Sequence, residues 1–392
     1  MKASLVVFLK EVRENMRDRR TVINTLLTGP LMAPIMFVIL INTVITREID
    51  KAEQPLSLPV VGAENAPNLV AALKQNNVEV KPAPDDPERA VREQDADVVL
   101  RIPKDFDKSW NKGDPAQVEV VFDQSQRDAR SSVDRLRGLL DSYSQRGGAL
   151  RLLARGLSPS IIKPLTVAER DQSTPQSRSG TLFSMLPYFF ILGCFVGGMA
   201  LAIDTTAGER ERQSLEPLLA NPAPRWQIVL GKLGATTTFA ITTVIVSIIA
   251  FAVVGRLMPT EKLGMSLEIG MGFVPYALIA MLPLAALLAT LQTIVAAFAK
   301  SYREAQTYVS LIMFFVSIIP TMILTFLPIK QEFWMYMVPL MSQQMTITRL
   351  LRGEYVPMSG LAVGFLCTSL GVAILAALTV RVYRSERLAI SA

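Results

Sequence analysis

Eight charged residues of this chain of 392 residues lie in one short segment, residues 204–232, between two apolar runs. Its later part, residues 208–232, reads GERERQSLEPLLANPAPRWQIVLGK. Acids and bases alternate there, and Leu215, Leu218 and Leu219 follow with the spacing of one face of a short helix. A rigid helix with an apolar face and charged ends suits docking of a soluble partner and transmission of its movement. The pattern therefore predicts a protein contact, where a bland alternative is a solvated, positively charged connector.

The chain shows no arrangement of residues that is typical of a catalytic site. The chain has no histidine, so the commonest general base and zinc ligand is missing. Both cysteines, Cys194 and Cys367, lie inside apolar runs and are typical of packing. Gly231-Lys232 is not part of a phosphate loop, because Trp226 stands where the first glycine belongs. The sequence thus predicts no catalytic, metal or nucleotide site in this chain, and no nucleic-acid partner.

The elements that hold the charged segment are apolar enough for a membrane. Half of the residues are hydrophobic, and six runs are long enough to cross a bilayer, which takes about 20 helical residues. The first run follows a charged segment and lacks a cleavage-site pattern, which favours an uncleaved anchor. The runs hold almost no Asp, Glu, Lys or Arg, whereas ion-coupled carriers commonly keep an intramembrane carboxylate. We place the runs near 23–45, 182–203, 233–254, 272–299, 307–327 and 360–380.

The distribution of Lys and Arg predicts the orientation. Bases concentrate in residues 1–20, in the 204–232 loop and in the tail at 381–392. The positive-inside rule therefore puts both termini and that loop in the cytoplasm of a multi-pass protein of a bacterial cytoplasmic (inner) membrane. Residues 1–20 are predicted to form an amphipathic helix on the membrane surface. Its predicted apolar face consists of Leu5, Phe8, Leu9, Val12 and Met16.

Residues 46–180 form the one sizeable polar region and are predicted to lie outside the cytoplasm. Short β-type runs near 57–62, 78–80, 96–102 and 116–122 alternate with helical patterns, and a long helix follows from about 127 to 157. This alternation predicts a small α/β domain. The fold class is thus a polytopic α-helical membrane protein with six transmembrane helices (21–45, then 181–380) and an extracytoplasmic α/β domain between the first two. The domain is expected to be a scaffold or gate rather than an enzyme.

The second run contains the sequence GCFVG at 193–197. Gly193 and Gly197 lie on one helical face, and such pairs of small residues permit close helix approach in lipid. They predict a helix-packing or dimer contact.

The same residues resemble a known family. The stretch GERERQSLEPLLANPAPRWQIVLGK resembles the hallmark of ABC exporter permeases of the sodium-extruding NatB type. Residues 8–21, 95–125 and 348–354 are similar to that family's cytoplasmic elbow helix, its external domain and the segment before its last span, so the resemblance covers nearly the whole chain.

The resemblance implies a half-transporter without a cofactor of its own. Two permease copies, or this chain and a paralogue, would bind two ABC ATPase subunits within the membrane lipid, and ATP would be hydrolysed on those partners. It also implies that the 204–232 loop contacts the ATPase. The residues so assigned are Glu209, Arg210, Glu211, Arg212, Leu215, Glu216, Leu219 and Arg225.

Two alternatives stay open at this point. The same architecture could export drugs, peptides or lipids instead of Na⁺, and the sequence identifies no residues of the substrate path. A sensor with an external ligand domain belongs to another class. That class needs an internal output domain, for which the predicted tails 1–20 and 381–392 are too short.

Overall fold

The computed structural model describes residues 3–162, 168, 170–257, 269–270, 272–326 and 330–384. Contacts divide the chain into two compact units. One consists of Met1–Val44 with Gln172–Ala392, and the other of Ile45–Asp171. The first is the helical unit, and the second is the α/β unit.

The described residues contain six helices long and apolar enough to cross a membrane, which confirms the prediction of six spans. The helical unit also contains an N-terminal helix, Ala3–Arg17, a three-residue turn, Arg19–Thr21, and a helix before span 2, Pro175–Leu182. Spans 1, 2 and 5 each include a stretch of wider π-helix, at Val22–Thr28, Asp204–Gly208 and Met313–Ile318. We number the spans 1 to 6: Val22–Thr43, Leu186–Glu211, Arg225–Leu257, Phe273–Phe298, Tyr302–Phe326 and Met358–Arg384.

The predicted 204–232 loop is mostly helix. Span 2 continues through a π-helical turn to Glu211, and span 3 begins already at Arg225. Only a short connection separates the two spans, and it contains the helix Leu215–Ala220. The prediction placed the helix ends at the limits of the apolar runs. Both helices extend beyond those limits because their charged residues find partners inside the protein.

The N-terminal helix contacts the rest of the helical unit through a face that the hydrophobic pattern does not indicate, while Leu5, Leu9 and Met16 of the predicted membrane-facing side stay exposed. Its buried residues are Val7, Glu11 and Asn15, which follow each other at intervals of four. Phe8 and Val12 of the predicted side pack beside spans 2 and 3. The face is determined by span 3, where Gly231 leaves room for the backbone of Ser4 and the side chain of Val7.

The α/β unit contains a four-stranded sheet in the order β2-β1-β3-β4. The strands are β1 Leu56–Val61, β2 Val78–Lys81, β3 Val98–Arg101 and β4 Glu119–Phe122. β1 pairs in parallel with β2 and β3, and β4 runs antiparallel to β3. The helices are Pro67–Gln75, Pro87–Arg92, Phe106–Lys112 and Arg127–Ala154, with short 3-10 turns at Ala63–Asn65 and Pro159–Ile162.

The core of this unit explains the layered arrangement. Alternate residues of β1, Leu56, Leu58 and Val60, are buried, as the period of a strand requires. β3 is buried on both faces because the other strands flank it and helices cover the sheet. Val133 and Leu136 of the long helix belong to the same cluster, so the sheet and that helix enclose one hydrophobic core.

A buried helix lies where the sequence indicated only a connector to span 6. After a 3-10 turn at Phe333–Met337, the chain forms the helix Met341–Leu351, which buries seven of its residues. Tyr336 of the 3-10 turn is buried and packs on Gly360, whereas Trp334 is exposed. The polar sequence SQQMT conceals this burial, because its side chains form hydrogen bonds to neighbouring spans.

Candidate coupling site

The charged residues of the predicted loop gather at the point where span 2 ends. Gln213 adopts a left-handed backbone conformation (φ 57°), and the amide of Ser214 donates to the carbonyl of Glu209 at 2.9 Å, so the helix stops there. The short helix Leu215–Ala220 follows, and Pro224 precedes the start of span 3. We call residues 209–215 the junction segment.

Glu209 of the junction segment lies inside the protein. It is 5% exposed, and its carboxylate pairs with the ammonium of Lys232, which is 0% exposed. Lys232 also donates to the carbonyl of Thr205, and Lys10 of the N-terminal helix reaches Glu209 at 3.3 Å. Spans 2 and 3 and the N-terminal helix therefore meet at one buried cluster of charged side chains. Each charge has an opposite partner there, because an unpaired buried charge would be costly.

Glu11 completes this buried group. It is 2% exposed, and Lys10 contacts its carboxylate at 3.2 Å. Burial raises the pKa of Glu11 above its usual value, and the charge of Glu209 adds to the rise, although Lys232 and Lys10 oppose it. Burial lowers the pKa of Lys10, but the charges of Glu11 and Glu209 outweigh it and raise that pKa overall. The two acids and two bases thus form one cluster in which the charges balance.

Arg210 and Glu211 contact the ends of two further spans. An Nη1 of Arg210 donates to the carbonyl of Ala299, just after span 4, at 3.3 Å. Oε2 of Glu211 accepts from the amide of Tyr302, the first residue of span 5, at 2.7 Å. A cation at the C-terminus of a helix and an anion at an N-terminus both complement the free backbone groups there. These two charges therefore fix the junction segment to the adjoining ends of spans 4 and 5.

Arg212 forms an ion pair with Asp204 of span 2, since its Nη2 lies 3.0 Å from Oδ1 of that residue. Leu215 is buried and packs with Val229, Leu233, Ala297 and Tyr383, which belong to spans 3, 4 and 6. The short helix is therefore anchored in the bundle through its first residue.

Arg225 ties the start of span 3 to the end of span 6. Its Nη1 donates to the carbonyls of Tyr383 and Arg384 at 2.9 and 3.0 Å. These carbonyls belong to the last turn, where the helix offers no backbone donor for them. Together with the junction segment, Arg225 completes a set of contacts that includes the N-terminal helix and spans 2 to 6.

The remaining side of the short helix faces outward. Pro217 and Asn221 are exposed, and Leu218 is half-buried. The side chains of Glu216 and Leu219, which were assigned to the ATPase contact, lie outside the described residues. Four predicted contact residues, Glu209 to Arg212, already have partners within the chain, and two of them, Glu211 and Arg212, are also exposed next to the short helix.

Gly193 and Gly197 pack within the chain. A Cβ at Gly197 would lie 2.5 Å from Oγ1 of Thr243, and one at Gly193 would lie 3.4 Å from Oγ of Ser247. The two small residues therefore bring spans 2 and 3 into close contact, with Thr243 and Ser247 filling the space that their missing side chains leave.

Lys10, Glu11 and Lys232 belong to this site although the sequence did not identify them as part of it. The two lysines lie in segments whose bases indicated only the orientation of the chain. One signal was available, because Glu11 falls four residues after Val7 and would share its helix face. Among the described residues, no group of three or more His, Cys, Asp or Glu is arranged to hold a metal.

Comparison with known proteins identifies the family of this chain. A family model described as ABC-2 family transporter protein matches residues 22–381, which is most of the chain. The chain belongs to the ABC-2 transporter family. It is also 28% identical over 313 residues to a protein of Bacillus subtilis (strain 168) named ABC transporter permease protein NatB. That match covers 79% of each chain. The resemblance inferred from the GERER stretch is thereby confirmed, and the chain is a permease-type ABC-2 membrane subunit.

Proposed function

We propose that this permease subunit exports Na⁺, driven by ATP hydrolysis on a separate ABC ATPase subunit that docks on the helix Leu215–Ala220. The observation that carries the proposal is the junction segment. It joins an outward-facing short helix to five membrane spans and to the N-terminal helix. An element of this kind is suited to receive a movement from a soluble partner.

The contacts of the junction segment support a transmission route. A displacement of the short helix moves Leu215, and through it the packed ends of spans 3, 4 and 6. The same displacement acts on span 5 through Glu211 and on span 4 through Arg210. Because the ionic group at Glu209 is buried and fully engaged, spans 2 and 3 would move with the N-terminal helix as one body.

The other members of the assembly are proposed on the same basis. A second copy of this chain, or a paralogue, would complete the transporter in a bacterial cytoplasmic membrane, with both termini and the short helix facing the cytoplasm. The excess of Lys and Arg in residues 1–20 and at the end of span 6 supports this orientation. The α/β unit would then lie on the outer side.

Sodium as the exported substrate rests on the resemblance to NatB-type permeases. The test uses proteoliposomes containing the permease and its ATPase, loaded with ²²Na⁺ or with an amphiphilic dye. We expect ATP-dependent movement of ²²Na⁺ and none of the dye. Movement of the dye alone would contradict sodium export and favour the drug, peptide or lipid alternative. Movement of either solute by the permease without an ATPase would contradict the division into two subunits.

A further inference from the structure

The long helix of the α/β unit is longer than the sheet that it covers. Its 28 residues, Arg127–Ala154, span about 42 Å, whereas strands of four to six residues span at most about 20 Å. Val133 and Leu136 in the first half of the helix are buried in the core of the unit. Further along, Gly147 packs closely on the ring of Trp110. The C-terminal end of the helix therefore extends past the sheet.

This end has a defined conformation. Gly156 adopts a left-handed conformation (φ 70°), and its amide donates to the carbonyl of Leu153 at 3.0 Å. The amide of Leu157 donates to the carbonyl of Leu152 at 2.9 Å. These two bonds form the Schellman motif that commonly ends a helix, and a 3-10 turn, Pro159–Ile162, follows. The side chains at this end are thus held by an ordered backbone.

Residues 146–161, which we call the helix tip, expose a row of apolar side chains. Leu150 and Leu153 are three residues apart and share one face of the helix. Contiguous apolar surface of this kind marks a contact site more often than single exposed leucines do. The row consists of Leu150, Leu153, Leu157 and Ile161, whose exposed fractions are 67%, 58%, 46% and 59%.

Positive charge surrounds this row. Residues 142–162 contain three arginines and neither Asp nor Glu. Arg151 is already engaged, because its guanidinium lies 4.4 Å from the centre of the Trp110 ring and donates to the carbonyl of that residue. Arg146 and Arg155 are exposed, and neither forms an ion pair among the described residues. Arg146 precedes Leu150 by four residues and so lies on the face that carries the leucines.

An anionic phospholipid surface complements both properties of the helix tip. Its acyl chains accept apolar side chains, and its phosphate groups accept hydrogen bonds from guanidinium groups. The α/β unit is also joined to membrane helices on both sides along the chain, since span 1 ends at Thr43 and span 2 begins at Leu186. This connection keeps the unit at a high effective concentration near the bilayer.

A second copy of this chain fits the helix tip less well. In a symmetric contact the same cationic surface would face itself, and like charges would oppose the contact. The row also offers only four apolar side chains, whereas a stable protein interface takes about 20–30 residues from each side. Insertion into lipid needs no such area of matching surface.

We propose that the helix tip binds the surface of the membrane that holds the chain. Its leucines insert into the headgroup region, at the depth of about 5–10 Å that is typical of amphipathic helices. Arg146 and Arg155 bind the phosphate groups of anionic phospholipids there. The proposal goes beyond the proposed function, because it requires neither an ATPase nor Na⁺.

The test measures fluorescence quenching of the full-length chain in nanodiscs by lipids that carry a nitroxide near the headgroup. An environment-sensitive NBD dye is attached to Leu153→Cys, in a chain in which Cys194 and Cys367 are replaced by alanine. The control carries the dye at Ser144→Cys, an exposed position nine residues earlier and thus on the opposite side of the helix. We expect quenching at position 153 to be at least about threefold stronger than at position 144.

The charge of the lipid is tested with the same dye at position 153. Quenching should be about threefold stronger in phosphatidylglycerol than in phosphatidylcholine, and 1 M NaCl should remove this preference, because it reduces the screening length to about 3 Å. Arg146→Gln with Arg155→Gln should remove the preference as well. Arg92→Gln with Arg130→Gln, which removes two exposed arginines at the other end of the unit, should leave it intact.

The apolar row is tested by Leu150→Gln with Leu157→Gln. This change should weaken quenching at position 153 in both lipids, since the side chains that insert become polar. Both leucines are exposed, so the melting temperature of the chain should stay the same, which separates loss of lipid contact from loss of the fold.

Three outcomes would overturn the proposal. Quenching could be equal at positions 153 and 144, or it could be equal in the two lipids. Alternatively, the dye at position 153 could show blue-shifted emission without quenching by the nitroxide lipid, which would show that protein, such as a second copy, covers the row. None of these outcomes affects ATP-driven ²²Na⁺ transport, so the two proposals are tested separately.

Discussion

Glu209 shows how a residue that looks like a surface charge can belong to the interior. In the sequence it stands in an alternating run of acids and bases, which is typical of exposed loops. In the structure its carboxylate meets Lys232 and Lys10, which come from elements 23 and 199 residues away along the chain. The ion pair of Glu209 and Lys232 stabilises the contact between spans 2 and 3 and the N-terminal helix only when both the negative and the positive charge are present.

Removal of one partner of this pair should therefore destabilise the protein strongly. Lys232→Met leaves the carboxylates of Glu209 and Glu11 buried without their main cation, and we expect a loss of about 3–5 kcal/mol in the free energy of unfolding. The double variant Glu209→Leu with Lys232→Met should recover most of this loss. Unfolding of the detergent-solubilised chain measures both, with Lys300→Met at an exposed lysine as control. Equal stability of Lys232→Met and the natural chain would contradict a buried ion pair.

Glu11 predicts how stability depends on pH. Burial raises its pKa in the folded chain above the usual 4.5, so the folded state binds the proton more tightly than the unfolded state. The free energy of unfolding should therefore decrease as pH rises from about 4.5 through the folded-state pKa. Glu11→Gln cannot lose a proton and should flatten this decrease.

Melting temperatures between pH 5 and 8 provide the measurement. Glu14→Gln is the matched control, because Glu14 lies on the same helix but its side chain is 63% exposed. A slope that persists unchanged in Glu11→Gln would assign the pH dependence to other groups.

Among the secondary-structure elements, the contact between spans 2 and 3 depends on a missing side chain. Gly197 lies so close to Thr243 that a Cβ would overlap its hydroxyl and its Cβ, at 2.5 and 2.7 Å. Gly193 leaves more room, because its nearest neighbour would be 3.4 Å away. Close approach of helices through small residues is a common way to stabilise bundles in lipid.

These distances predict different effects for two similar substitutions. Gly197→Ala should destabilise the chain by about 1–3 kcal/mol, because the helices must separate to admit the methyl group. Gly193→Ala should be nearly neutral, since its methyl group makes an ordinary van der Waals contact. Thermal melting and the yield of folded protein compare the two variants directly. Equal effects at both positions would show that the two helices do not pack as described.

The N-terminal helix buries polar residues, as span 2 buries Glu209, and leaves apolar residues exposed. Its apolar side, with Leu5, Leu9 and Met16, is exposed, and the side with Glu11 and Asn15 is buried. Nδ2 of Asn15 donates to the backbone carbonyl of Glu11, and the carboxylate of Glu11 pairs with Lys10, so both buried polar side chains have partners. A hydrophobic pattern indicates the side that suits a membrane surface, but it does not identify the side that packs inside the protein, because it does not include ion pairs with distant residues.

For the whole molecule, the proposed function assigns docking and transmission to different, neighbouring residues. The short helix Leu215–Ala220 offers exposed positions to a partner, whereas Arg210 and Glu211 are engaged with the ends of spans 4 and 5. The two roles should therefore respond differently to substitution, which distinguishes a coupling element from a simple adhesive surface.

The double variant Arg210→Gln with Glu211→Gln should retain the ATPase but transport poorly. We expect the ratio of solute moved to ATP hydrolysed to fall about tenfold, because the two bonds that carry the motion to spans 4 and 5 are weakened. Asn221→Arg, on the exposed side of the short helix, should instead reduce co-purification of the ATPase. Asn111→Arg, at an exposed asparagine of the α/β unit, is its matched control. Loss of co-purification in the Arg210 and Glu211 variant would contradict the division of roles.

Much of the architecture followed from the sequence because its signals are local. Six apolar runs determine six spans, since burial of about 20 residues in lipid outweighs other preferences. The alternation of β-type and helical runs between residues 57 and 157 likewise predicted an α/β unit. The family could be identified from GERERQSLEPLLANPAPRWQIVLGK, because that stretch is a compact signature.

The tertiary structure alone decided which charges are buried and which surface is left for a partner. Lys10, Glu11, Glu209 and Lys232 come from three elements, and no spacing along the chain relates them. The buried helix Met341–Leu351 was concealed for the same reason, because its glutamines are satisfied by spans 5 and 6. Apolar residues reveal their burial by their own type, whereas a polar residue can be buried only when a partner is in place. That partner is brought there by the fold.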